Sequence, residues 1–352
     1  MRPMSDPVSN LPLGSRVVVR SRLEPAGLAP AEGPSMTDAV GVLVSVDEHR
    51  VVVETRQGLV TIERDRVVAA KEVPPRPSRR GAPHLSVSIP DLQRVMTPSW
   101  GAVERESLGG WVLRASSGYT QRGNSVVTAG EPGVPLVEAA DHVERWYAAR
   151  GLPAKFAVAG PQGFDPADDP LGALLLGRGY AVGSLTLNLT ASCRAVAAAD
   201  PGGPAVVVSP ALQEAWLTAY RTTRDTIPAV TETVLTGSPR QLFGQVTPGG
   251  GLSQKLGLRD SDAAGTTPIA LARLGFGAGW AGLGAVWTDP AYRGRGLAAH
   301  LVARLAQAAM DEGVTLMHLQ VEHDNAAAHR LYERLAFQVH SSYAYLTQPT
   351  TE

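Results

Sequence analysis

The chain has 352 residues, 44% hydrophobic and 18% charged, with a formal net charge of -1. That length calls for two or three units with packed cores, and that balance excludes a wholly disordered chain and a cationic body wrapped by nucleic acid. No run approaches the ~18 apolar residues of a membrane span, Met1 to Asn10 has no apolar signal core, and the single cysteine, Cys193, excludes an internal disulfide and a cysteine-built metal cluster. A cytoplasmic protein without a metal site is expected.

Between Leu11 and Val73, β-branched runs at 16–20, 40–46, 51–54 and 59–63 are separated by Gly14, a Gly/Pro/Ala stretch at 26–35, Asp47–His49 and Arg56–Gly58. Short strands broken by such turns predict a small all-β, SH3-like barrel over 11–73. Residues 1–81 hold twelve basic and ten acidic side chains, which singles out no nucleic-acid role. Four prolines between Val73 and Pro83 then predict a linker over 74–85.

From residue 86 helix and strand alternate. Strands are expected at 110–114 and 124–127, joined through Ser117-Gly118, then a helix over 137–149 with Val137, Ala140, Val143 and Tyr147 on one face. A strand (155–158), a short helix (171–176) and a strand (184–190) follow, and 191–204 reads as a connector. Residues 205–347 repeat the plan. They predict a strand at 206–208, a helix at 210–220, a hairpin of 269–273 and 280–288, a helix at 296–312, a strand at 316–322 and a helix at 325–335. Both halves read helix, glycine, strand, helix, then a small–aromatic pair: Gly151 and Gly179-Tyr180 in one, Gly313 and Ala336-Phe337 in the other. This predicts a duplication, with halves at 86–190 and 205–347.

The segment from Gly284 to Leu301 reads as a strand, a Pro turn, a basic glycine-rich turn and a helix start. Unpaired N–H groups and the positive end of the helix dipole converge there, which suits a diphosphate. Arg293 and Arg295 add charge. Lysine supplies three of the 32 basic residues, so arginine usage is a compositional bias and the two arginines carry less weight than usual. There is no GxxxxGK[ST] phosphate loop.

A second segment, from Leu319 to Phe337, completes a pattern that resembles the GNAT N-acetyltransferases. The family's R/Q-x-x-G-x-G/A signature reads as Arg293-x-x-Gly296-x-Ala298. Its later signature reads as Asn325 followed by Leu331-Tyr332-Glu-Arg-Leu-Ala336-Phe337. The implied fold is an α/β (α+β) GNAT acyltransferase fold of two GNAT-like halves preceded by the barrel. That order resembles an actinobacterial group of GNAT proteins. The implied co-substrate is acetyl-CoA. Val286, Trp287 and Thr288 should meet its pantetheine arm, and Gly294, Arg295, Gly296, Leu297, Ala298 and Ala299 its diphosphate, with Arg293 beside them. Asn325 should contact the cofactor beyond the thioester, and Tyr332 should protonate the departing thiolate.

The acceptor is expected to be an amine, on a small molecule or on a protein N-terminus or lysine, and must lose a proton before attack. In ribosomal-protein alanine N-acetyltransferases the base glutamate falls where Gln320 stands. Strand alternation places Glu322 on the same face, which makes Glu322 the leading base and His323 the second candidate. Ala336 stands where the family has glycine, which is tolerable if the backbone there keeps negative φ.

In the first half, Leu175 takes the place of Tyr332 and Asp168 that of Asn325, and residues 128–135 lack the arginines. A degenerate half that helps shape the acceptor cleft is expected, with Arg122, Asn124 and Ser125 as polar candidates for its lining, and Trp111 and Trp146 as core. Two other functions fit the same sequence: a non-catalytic acyl-CoA-binding regulator with a protein partner on the barrel, or a mycothiol-synthase-like small-thiol acetyltransferase.

Overall fold

A computed structural model describes residues 7–8, 11–23, 35–55, 58–73, 82–248 and 267–349. The expected linker falls largely on 74–81, outside the described residues, as do most of the 26–35 break and the first residues of the chain. No helix of the described residues is long and apolar enough to cross a membrane.

Five strands form the N-terminal sheet: β1 (Arg16–Arg22), β2 (Met36–Val46), β3 (Arg50–Thr55), β4 (Gly58–Glu63) and β5 (Val67–Glu72). Their order is β4-β3-β2-β1-β5 and every pairing is antiparallel. Alternation drives the curl. Val17, Val19, Leu43, Val51 and Val53 turn inward and are buried, while their neighbours face outward. Strand β5, with alanines and charges in place of a β-branched run, was not legible as a strand.

The remaining strands join one sheet of eleven. Its first-half members are β6 (Glu104–Leu108), β7 (Trp111–Ala115), β8 (Val126–Thr128), β9 (Lys155–Gly160) and β10 (Ala181–Ser192). The second half adds β11 (Val207–Ser209), β12 (Arg240–Val246), β13 (Ala270–Gly277), β14 (Trp280–Thr288), β15 (Leu316–Glu322) and β16 (Gln338–Thr347). The helices are α1 (Ile89–Met96), α2 (Leu136–Ala148), α3 (Pro170–Gly177), α4 (Cys193–Ala198), α5 (Glu214–Arg221), α6 (Pro228–Thr236), α7 (Leu297–Asp311) and α8 (Ala326–Arg334). The expected connector over 191–204 therefore contains α4, which Ser192 caps by accepting from the Ala195 N–H. Trp111 and Trp146 are core residues, 2% and 8% exposed.

The strand order is β11-β12-β13-β14-β15-β10-β16-β9-β8-β7-β6. The two middle strands have changed places. The first half's last strand, β10, runs antiparallel to β15, with Thr186 opposite Glu322 and Ser192 opposite Leu316. The second half's last strand, β16, runs antiparallel to β9, with Ser342 opposite Gly160. Leu187, Leu189 and Ala191 of β10 thus fill the second half's core, and Ala344 and Leu346 of β16 fill the first half's. Each buried leucine contributes about 1.5–3 kcal/mol, so each half owes part of its core to the other.

The duplication extends to the turns. Leu152 N–H bonds Tyr147 O after Gly151, and Val314 N–H bonds Ala309 O after Gly313. Tyr180 N–H bonds Leu175 O, and Phe337 N–H bonds Tyr332 O. Gly179 and Ala336 occupy the same left-handed position at φ +81° and +62°. The alanine is therefore in the conformation that the family's glycine would take without strain, at a cost of about 1 kcal/mol.

Candidate active site

Strands β14 and β15 run parallel and pair from Trp280 opposite Leu316 to Leu283 opposite Leu319, and no further. Beyond that point β14 continues to Thr288 and β15 to Glu322 without pairing, and the sheet opens as a V. A bulge in β14 causes the parting. Leu271 faces Trp287 while Arg273 faces Gly284, so β14 carries one more residue than β13 over this stretch. Ala285 absorbs it at φ +54°.

The V opens into a cleft of about 1020 Å³. One wall is the glycine turn. Thr288 O accepts from Arg293 Nε at 3.1 Å, and Asp289 Oδ1 accepts from the Ala291 N–H at 2.8 Å, closing the Pro290 turn. Gly294 and Gly296 follow at φ +74° and +78°, a conformation other residues enter with strain. Gly296 is the N-cap of α7 and offers no side chain, so the N–H groups of Leu297, Ala298 and Ala299 have no intrahelical acceptor. The Arg295 guanidinium lies 5.6 Å from the Tyr292 ring. Thr288 Oγ1 is buried in the cleft wall without a hydrogen-bond partner. An orphan hydroxyl beside an uncapped helix start fits a ligand rich in acceptor oxygens, as a CoA diphosphate and pantetheine are. Helix α7 is held from behind by His300, whose Nδ1 lies 2.7 Å from Asp200 Oδ1 and whose Nε2 lies 2.8 Å from Pro204 O.

The other wall is β15 and α8. Tyr332 is 8% exposed, packs edge-on against Phe337 at 5.7 Å, and still lines the cleft. Burial pushes its hydroxyl up to about 12, so it keeps its proton at physiological pH. Glu322 is exposed at the end of β15, in the lining and opposite Thr186. Gln320 lines the cleft too and donates from Nε2 to Asn188 Oδ1 at 3.3 Å. Asn325 faces the cleft, but its Oδ1 caps α8 by accepting from the Ala328 N–H at 3.0 Å. His323, the second base candidate, is exposed and lies outside the lining.

Of the thirteen predicted catalytic and cofactor-binding residues, twelve line the cleft, and Arg295 alone is missing from the lining, beside its neighbours Arg293, Gly294 and Gly296. In the first half, the counterpart of Asn325 as helix N-cap is Asp169, which accepts from the Leu171 and Gly172 N–H groups, and not Asp168. Of the first-half polar candidates, Arg122 reaches the cleft. Asn124 instead ties its own turn together, accepting from Ser116 and Gly118 N–H, and Ser125 is fully buried. Trp100, Thr186, Arg224, Tyr343 and Tyr345 also line the cleft and carried no sequence signal. They arrive from the segments that follow α1 and α5 and from the exchanged strands β10 and β16, far from the motifs in sequence.

A family model described as "Probable histone acetyltransferase Rv0428c C-terminal" matches residues 87–346. A second, the "Rv0428c N-terminal Sm-like domain", matches residues 11–71, so the barrel is Sm-like by family, a small all-β form close to the SH3-like one expected. The probable histone acetyltransferase Rv0428c of Mycobacterium tuberculosis is 37% identical over 152 residues, which span 42% of this chain and 44% of that protein. The uncharacterized N-acetyltransferase YobR of Bacillus subtilis is 24% identical over 261 residues, 73% of this chain and 97% of that one. Among solved structures, a GCN5-related N-acetyltransferase from Kribbella flavida aligns with a TM-score of 0.49 at 19% identity, covering 74% of this chain and 93% of that one. A tandem GNAT protein from the clavulanic acid biosynthesis pathway aligns at 0.47 and 16% identity, covering 61% and 70%. With its family model matched from residue 87 to residue 346, the chain belongs to the Rv0428c C-terminal family of GNAT-type acetyltransferases.

Proposed function

We propose that the protein moves an acetyl group from acetyl-CoA to a primary amine by direct attack on the thioester, in the second half of the chain. The observation that carries this reading is the V between β14 and β15, with an uncapped helix start on one wall and Tyr332 and Glu322 on the other. Leu297, Ala298 and Ala299 N–H groups bind the diphosphate with Arg293, while Arg295, outside the lining, adds positive charge at the turn, and Val286 to Thr288 hold the pantetheine arm. Asn325 contacts the cofactor through the amide group its cap leaves free. Glu322 takes the ammonium proton through water. The amine then bonds to the carbonyl carbon as the carbon–sulfur bond breaks, the nitrogen gives its remaining surplus proton to water, and the Tyr332 hydroxyl donates a hydrogen bond to the leaving thiolate. An ordinary thiol titrates near ~8.5, below Tyr332, so the donation acts chiefly as a transition-state hydrogen bond.

We assign residues 11–73 to a barrel that meets a protein partner, 74–85 to a linker, and 86–190 with 205–347 to two halves of one catalytic body. The exchanged strands support treating the halves as one unit. The M. tuberculosis relative's name makes a protein lysine one acceptor worth testing.

Three measurements test the reading. Calorimetry should give one CoA per chain, and two equivalent sites would remove the degenerate-half assignment. A chain lacking residues 1–85 should keep CoA binding. Thiol release from acetyl-CoA should follow amine addition, and Glu322→Gln should lower kcat/KM most at acidic pH, with partial recovery as pH frees the amine. CoA binding with no thiol release for any amine would favour the regulator.

A further inference from the structure

One end of the cleft is cationic, with no counter-charge among the described residues. Trp100 packs over β14 at Gly284, on the far side of the bulge from the glycine turn: a Cβ on Gly284 would stand 3.0 Å from the Trp100 ring. The Arg122 guanidinium lies 5.1 Å from the same ring, and that of Arg273 lies 5.4 Å from it. Arg273 is fully buried. It donates to Leu235 O, Ser99 O and Ser238 Oγ and to no carboxylate. Arg105 reaches Trp100 O at 3.0 Å. Arg114, 3% exposed, sits opposite Arg105 in the β6–β7 pair and donates to Ser125 O and Oγ. Arg224 lines the same cleft, 4.9 Å from the Tyr220 ring. None of these five arginines has an ion pair among the described residues, although nine other basic side chains, two of them histidines, do.

The lining repeats the imbalance. It carries Arg122, Arg224, Arg293 and Arg334 against one carboxylate, Glu322, among the described residues. Arg114 and Arg273 are buried, where like charges repel strongly because little solvent screens them, whereas Arg105 and Arg224 are exposed. Burial, and then the Arg122 charge, pull Arg273 down to about 9. Burial likewise pulls Arg114 down to about 10, with Arg122 and Arg105 adding to the fall. An anion placed among them would relieve repulsion that the free protein carries, and Arg122, half-buried against an indole, is the member positioned to meet it with little loss of side-chain freedom. A lysine-rich peptide or a polyamine would add to the repulsion.

We infer that the Trp100–Arg122–Arg224 end of the cleft is an anion subsite, and that the acceptor is a small amine whose own molecule carries a carboxylate or phosphate. This rests on the acetyltransferase reading for the amine, and on the arginine cluster alone for the anion. The uncharged reach of Thr186, Tyr343 and Tyr345 lies in the same cleft and leaves room for a neutral body between the two groups.

The test pairs acids with their neutral partners on the full chain. Thiol release from acetyl-CoA is compared for glutamate against its diamide, for glycine against glycinamide, for phosphoethanolamine against ethanolamine, and for spermidine and a lysine-rich peptide. The anionic member of at least one pair should exceed its neutral partner in kcat/KM by about 10–100-fold, the worth of a charge-assisted hydrogen bond. The carboxylate and phosphate pairs show which anion the subsite takes. Arg122→Gln should narrow that ratio toward one through KM, with CoA affinity kept. Acid and neutral partners at equal rates, or the lysine-rich peptide as best acceptor, would overturn the inference. A second readout does not depend on turnover. Calorimetry on the CoA-loaded protein with glutamate and phosphoethanolamine should give saturable binding that Arg122→Gln weakens about tenfold or more. If neither anion binds, the subsite is lost even where acetyl transfer is seen. If an anion binds and no amine releases thiol, the subsite stands and the acetyltransferase reading falls.

Discussion

The two halves of the body share a fold and part company at a few positions. Counting from the helix-ending glycines Gly151 and Gly313, Phe156 stands where His318 does. Leu175 stands where Tyr332 does, Asp169 caps α3 as Asn325 caps α8, and Gly179 precedes Tyr180 as Ala336 precedes Phe337. The strands differ as well. In the first half β8 has three residues and meets β9 at Val126 and Val127, whereas β14 has nine and outruns its pairing with β15. The helix starts differ most. Helix α2 follows Pro135 behind an acidic turn with Glu131, while α7 follows Gly294-Arg295-Gly296. A cleft needs a strand long enough to splay and a helix start free to bind, and one half has both. The comparison teaches that the fold is kept where no long strand splays from its neighbour, and that the sheet needs both halves because each completes the other's core.

The largest effect expected is on turnover. Tyr332→Phe removes a hydroxyl and little volume, and should lower kcat about 10²–10³-fold with CoA affinity nearly unchanged. Full turnover in that variant would make the tyrosine a counterpart of Leu175, a packing residue. Next comes cofactor binding. Gly296→Asp sets a carboxylate beside the diphosphate and a side chain at φ +78°, and should weaken CoA about 100-fold by calorimetry. The same change at Gly133, also at positive φ in the first half's turn, should leave CoA affinity alone, and an equal loss there would place cofactor in both halves.

A smaller effect is on stability. His318 is 3% exposed with both ring nitrogens unpartnered, and burial, with a lesser push from Arg122, pulls its pKa down to about 3. Below pH ~6.5 the unfolded chain therefore binds a proton that the folded one refuses, so stability falls as pH drops from about 6.5 toward 3. His84 and His340 are lowered too, each chiefly by burial, and act in the same direction. At pH 5 the His318 share is about 2 kcal/mol. His318→Leu should flatten the denaturation midpoint against pH over that window. An unchanged slope would show that His318 takes up its proton in the folded state. The smallest effect concerns the shared turn. Ala336→Gly should raise stability by about 0.5–1 kcal/mol in denaturant titrations, and Gly179→Ala should lower it by a similar amount. No atom lies within 4 Å of a Cβ at Gly179, so that loss is backbone strain alone.

The sequence by itself determined the local features. Periodicity placed α2, α3, α7 and α8 within about a residue or two of where they lie, because each buries one face. The glycine-rich turn and the Asn325 to Phe337 helix were legible because their chemistry is held within a few consecutive residues. Even the left-handed turn at Ala336 could be suspected from Gly179, although alanine there concealed it. Only the tertiary structure decided the rest. Strands β5 and β12 and helices α4 and α6 are short or weakly patterned and owe their conformation to the sheet and cores that receive them. The exchange of β10 and β16 leaves no mark in either strand, since an alternating strand fits any neighbour of matching register. The bulge that opens the cleft rests on an alanine, with no glycine to announce it. The five arginines around Trp100 and Tyr220 come from β6, β7, β13 and two separate turns, 168 positions apart at most, and only folding brings their charges into one place.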